Sequence, residues 1–169
     1  MSETLASVYL EFGKAVYICQ CFESSLCLLL ATMAHESSRG EDEAFETSWD
    51  FHSRKTLGQL LKALRERIEV PEEVDEFLGE GVDRRNEIVH GFLTKNANRL
   101  AEPKERLRVE RELVHLKKEV KRRDVVVNKL FDALLNKYGV SNATLKQDFV
   151  RLWDHMNLPD GADEGGPSH

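Results

Sequence analysis

With 169 residues, 32% of them charged and only four Pro and ten Gly, the chain has the length of one domain with a single core and a composition that favours helices. Its three cysteines, Cys19, Cys21 and Cys27, are odd in number and share one apolar stretch, so small core packing is expected of them and disulfides are not. No basic leader opens the sequence, and the longest apolar run, Leu26 to Ala34 interrupted by Thr32, is far short of the roughly 20 residues a bilayer demands, so neither a signal peptide nor a membrane span is expected of a protein read as cytoplasmic.

The first predicted helix runs from about Glu3 to about His35. Leu5, Val8, Phe12, Ala15, Cys19, Phe22, Leu26, Leu29 and Met33 alternate steps of three and four, the seam of a packed helix. Tyr9, Val16, Glu23 and Leu30 form a flanking row in which Glu23 is the one charge. A carboxylate there needs an Arg partner or a polar cleft, unless it reaches water from the helix edge.

Residues 36 to 51 are polar and acidic and read as a loop. Leu57, Leu60, Leu61, Leu64 and Ile68 then mark a short amphipathic helix over Thr56 to Ile68. Pro71, followed by Glu72, Glu73, Asp75 and Glu76, starts another, because proline lacks only a donor that would go unused and the acids complement the positive helix end. Val74, Phe77, Leu78, Gly81 and Val82 continue it towards Arg85-Asn86-Glu87-Ile88-Val89-His90, read as its last turns before a Gly91 exit.

Residues 93 to 101 read as a loop, and Glu102-Pro103-Lys104-Glu105 opens a long fourth helix with apolar positions at Leu107, Leu113, Leu116, Val120, Val127, Leu130, Leu134 and Tyr138. From Lys104 to Arg123 it holds nine Lys or Arg against four Glu. Such a run is ordinarily a solvated face stitched by neighbouring pairs; the sharper reading is an RNA-backbone track of Lys117, Lys118, Lys121, Arg122 and Arg123. A last helix is expected over about residues 142 to 155, and a disordered tail over 158–169 behind a single domain of 1–157.

The chemistry concentrates in Arg85, Asn86 and His90. Arg offers a permanent planar fork of donors for phosphate oxygens, Asn can orient a neighbour, and His changes charge near neutral pH. Arg84 also fits a tolerated spacing as a second cation, whereas Arg108 and His115, with six residues between them where Arg85 and His90 have four, lack the polar and apolar dressing. No Cys-x-x-Cys pair, His-Glu-x-x-His or phosphate-cradling glycine loop competes, so no metal site and no cofactor are expected.

The pattern Arg-Asn-x-x-x-His-Gly over residues 85–91 resembles the HEPN superfamily, the helical domains of toxin-antitoxin, abortive-infection and CRISPR-type systems and of some eukaryotic ribonucleases. The resemblance implies an all-α, antiparallel bundle of four to five helices with long first and fourth helices. It also implies a homodimer whose paired motifs cut RNA without metal, with Arg85, Asn86 and His90 catalytic, and a cognate antitoxin as a further partner; Glu23, from its place beside the seam, and Arg84, from its spacing, are read as supporting residues. Phe92 stands where one subgroup has Tyr, so no role of that hydroxyl carries over. A non-catalytic nucleotide- or RNA-binding module and a protein-interaction adaptor are the other classes the same residues serve.

Overall fold

The computed structural model describes residues 5–137, and the expected helix over 142–155 and the tail lie outside them. Among the described residues the fold is all-helical. Its elements are α1 (Leu5–Ser37), α2 (Asp42–His52), α3 (Leu57–Arg65), α4 (Glu72–Asn86), a π-helical turn (Glu87–Gly91), α5 (Phe92–Lys95), α6 (Ala97–Ala101) and α7 (Pro103–Lys137). Residues Met1–Lys129 make one compact unit, which holds every site discussed below; α7 runs on from it into a second.

Of the positions its three-and-four spacing selects, α1 buries Val8, Ala15, Cys19, Phe22, Leu26 and Leu29, while Leu5, Phe12 and Met33 are half-buried. By length and composition α1 is also apolar enough to cross a membrane, with 44% of its most apolar window buried inside the protein. It stops where Arg39 and Gly40 take left-handed backbone at φ 66° and 88°, and the Gly40 amide returns to the His35 carbonyl at 3.0 Å.

Two expected loops are helices instead. Over residues 36 to 51 the acidic composition hides α2, whose first-turn Asp42 and Glu43 suit a helix start and whose Ser48 and His52 are buried. Over 93 to 101 the chain stays helical through α5 and α6, bent at Asn96, which is buried and donates from Nδ2 to the Phe92 carbonyl at 3.0 Å. The described residues therefore hold seven α-helical segments where four or five helices were expected. The Thr56 start of α3 follows expectation: its hydroxyl accepts from the Gln59 amide at 3.4 Å and the Gln59 side chain accepts from the Thr56 amide at 3.0 Å, a reciprocal cap.

The long helices α1 and α7 are not antiparallel where they touch. Lys117 Nζ donates to Glu11 at 2.5 Å and Ser25 Oγ donates to Asp124 at 2.7 Å, so sequence number rises in the same sense along both. α4 meets both at Gly81. A Cβ there would stand 2.7 Å from Arg123 Cδ and 2.9 Å from Phe22 Cε1, so only glycine lets the three elements approach this closely.

Candidate functional site

Arg85 ends α4, and the chain does not exit at Gly91 as expected but winds through the π turn and on into α5. That turn decides the geometry. In an α-helix, residues five apart point about 140° away from each other; a π turn closes hydrogen bonds from i to i+5 and brings such residues onto one face. Ile88, fully buried, anchors the turn in the core, while His90 is exposed.

Arg85 joins three other side chains. Its Nε donates to Glu23 Oε1 at 2.6 Å, across from α1, and its Nη1 donates to Asn86 Oδ1 at 3.1 Å. The same Nη1 lies 2.8 Å from His90 Nε2. A guanidinium has only protons to offer, so Nε2 accepts and the ring proton sits on Nδ1. Arg85 Nη2 has no partner among the described residues, which leaves two N–H groups for an incoming anion.

The structure thus brings together Arg85, Asn86, His90 and Glu23, and gives Glu23, in the row flanking the α1 seam, an Arg partner. The pair is only partly solvated, with 18% of the Arg85 side chain and 26% of the Glu23 side chain exposed. Arg84 bonds elsewhere, to Glu87 at 3.4 Å. Near the cluster, burial, with the Glu23 carboxylate adding to it, pushes the Cys19 thiol up to about 12 and the Cys27 thiol up to about 11, which disfavours their thiolates. No group of three His, Cys, Asp or Glu side chains placed to hold a metal occurs among the described residues.

The expected α7 track needs correction. Arg123 is 1% exposed; its Nε donates to the Phe77 carbonyl at 2.8 Å, its head pairs with Glu80 and Glu119, and its guanidinium stacks over the Phe77 ring. It is a core residue closing α4 onto α7, out of reach of an RNA backbone. Lys117 pairs with Glu11, Lys121 with Asp124 and Arg122 with Glu119, whereas Lys118 is exposed with no ion pair among the described residues.

Sequence reasoning missed a concave surface beside the motif, which begins at Arg84 and Glu87 and continues over α5, α6 and α7 to His115. Its cations are scattered over residues 84 to 111 with no local pattern, so only the fold collects them. No family model, no curated protein and no solved structure matches the chain.

Proposed function

We propose that the protein is a HEPN-type endoribonuclease that cuts RNA through the ribose 2′-OH, working in the cytoplasm as a homodimer and held in check by an antitoxin partner. The observation that carries this reading is the contact of Arg85 Nη1 with His90 Nε2 inside a π turn, with Glu23 fixing the opposite edge of the guanidinium. A phosphate held by Arg85 competes with Nε2 for the Nη1 protons and so frees the imidazole lone pair at the moment substrate arrives.

In the reaction the 2′-oxygen attacks phosphorus and its proton passes to a neutral imidazole. The P–O5′ bond breaks, and the departing 5′-oxygen takes a proton from a second, protonated imidazole. The products are a 2′,3′-cyclic phosphate and a free 5′-hydroxyl. Arg85 stabilises the charge that builds on the phosphoryl oxygens. One His90 per chain supplies either the base or the acid, so the motif of a second copy across a two-fold axis supplies the other.

The test is cleavage of an RNA oligonucleotide by the purified protein in a chelating buffer, with product ends identified by mass. A 2′,3′-cyclic end, and resistance at a single 2′-deoxy position, are expected; equal cleavage at that position rules the mechanism out. A non-catalytic binding module is the second reading, favoured by one feature: Glu23 already neutralises Arg85 in the free protein. That module binds RNA and leaves it intact.

A further inference from the structure

We infer that the concave surface formed by Arg84, Lys95, Arg99 and Arg111 is the seat of the RNA strand flanking the scissile phosphate, in place of the outer face of α7. This rests on the ribonuclease reading for its ligand class. The groove encloses about 590 Å3, and its carboxylates are Glu87 and Glu112. That is room for a sugar-phosphate with its base.

The charge left over after internal pairing decides the matter. Glu112 is taken by Arg99, which donates from Nη1 and Nη2 to its two oxygens at 2.8 Å each. Glu87 is shared between Arg84 at 3.4 Å and Lys95 at 3.6 Å, so two cations lean on one carboxylate. Arg111 has no ion pair among the described residues and is exposed. The groove therefore keeps positive charge on a concave wall, where low-dielectric surroundings focus the field. On α7, Lys117, Lys121 and Arg122 are each matched by a carboxylate, Glu11, Asp124 and Glu119, Arg123 is buried, and Lys118 is left as a single exposed cation without an ion pair among the described residues.

Position supports the same assignment. Arg84, next to Arg85 in sequence, and Glu87 in the π turn put one edge of the groove on the chain segment that carries the motif. Arg99 is held from three sides, by Asn96, Glu105 and Glu112, and serves as a fixed wall. Lys95, 72% exposed and sharing Glu87 with Arg84, and the exposed Arg111 are the arms that close on phosphates.

The experiment measures anisotropy of a labelled, fully 2′-O-methylated RNA oligonucleotide, which binds without being cut, on the full chain. Lys95→Glu combined with Arg111→Glu is expected to weaken binding at least tenfold and to flatten its salt dependence by about 1.4 in logarithmic slope, two single-strand phosphate contacts at about 0.7 each. Lys121→Glu combined with Arg122→Glu is expected to change affinity less than threefold. Both pairs are exposed, and thermal unfolding verifies that each variant folds. Equal binding by the groove variant and the parent, a larger loss in the α7 variant, or no binding by the parent overturns the assignment. A parent that binds the oligonucleotide through the groove but leaves an all-ribose version intact overturns the ribonuclease reading alone. A parent that cuts, with a groove variant of unchanged KM, overturns the groove alone.

Discussion

Arg85 and His90 touch, Nη1 to Nε2 at 2.8 Å, although the five residues of separation would point them to different sides of a regular α-helix. The wide turn from Glu87 to Gly91 makes the contact, and Glu23 on α1 keeps the guanidinium from swinging away from it. Three features must agree for the site to exist: the winding of the motif, the approach of α1, and the tautomer of the imidazole. Each can be tested separately.

The composite cleft comes first. A heterodimer of parent and His90→Ala chains, purified through two different tags, is expected to lose far more than half the parental RNA cleavage, since general acid or base assistance is worth about 100- to 10,000-fold. Half activity indicates two independent sites. An active monomer in sedimentation removes the shared cleft altogether.

On the proposed ribonuclease reading Glu23 positions Arg85 without touching substrate, and its variants separate orientation from charge. Glu23→Ala is expected to lower kcat by about 10- to 100-fold through a misplaced guanidinium while KM stays level or falls, because a competing carboxylate is gone. Glu23→Gln, which keeps an acceptor for Nε, recovers much of kcat. The alanine variant also loses about 1–3 kcal/mol of stability, as Arg85 is left partly buried without its partner. Equal kcat in all three proteins would mean that the ion pair is purely structural.

Gly81 is where packing and site meet. Gly81→Ala inserts a methyl 2.7 Å from Arg123 Cδ and 2.9 Å from Phe22 Cε1, and the expected cost is about 1–3 kcal/mol in chemical denaturation. Phe22 directly precedes Glu23, so a forced shift of α1 is also expected to lengthen the Glu23–Arg85 contact and to lower cleavage at temperatures where the variant is still folded. Full activity in a destabilised protein would uncouple the two.

His52 makes stability depend on pH. It is 1% exposed, neither ring nitrogen has a hydrogen-bond partner among the described residues, and burial, together with the nearby Arg67 and Lys55 charges, lowers its pKa from the ordinary 6.5. Glu41 and Glu43 also line the pocket beside it. Below about 6.5 the unfolded chain takes up a proton that the folded chain refuses, so stability falls as pH drops, by up to about 1.4 kcal/mol per pH unit. Urea midpoints between pH 7.5 and 5.5 are expected to drop further in the parent than in His52→Gln. Parallel slopes would exclude the buried ring as their source.

Most of the α1 seam, and the closeness of Arg85, Asn86 and His90, were legible because each is written in neighbouring or regularly spaced residues; on α7 the expected Leu107, Leu130 and Leu134 are only half-buried, and Val109 and Leu135 are buried instead. The π turn was not, because hydropathy is read at a constant angular step and a change of winding leaves no mark on it. α2 escaped because its buried face includes polar Ser48 and His52, and acidic neighbours dominate the composition. Arg123 escaped for the opposite reason: within a run of charges it reads as one more solvated head, and only Gly81, forty-two positions earlier, opens the space that buries it.

The π turn also stores one residue of slack. Deleting Val89 would leave Arg85 and the histidine four apart, and ordinary α winding would then hold them about 40° from each other, still on one side. The same deletion between Gly81 and Arg85 would instead rotate Arg85 by about 100° and carry it away from Glu23. Along this stretch, then, sequence length and spatial register are independent at one place only, and that place lies between the two residues whose meeting matters most.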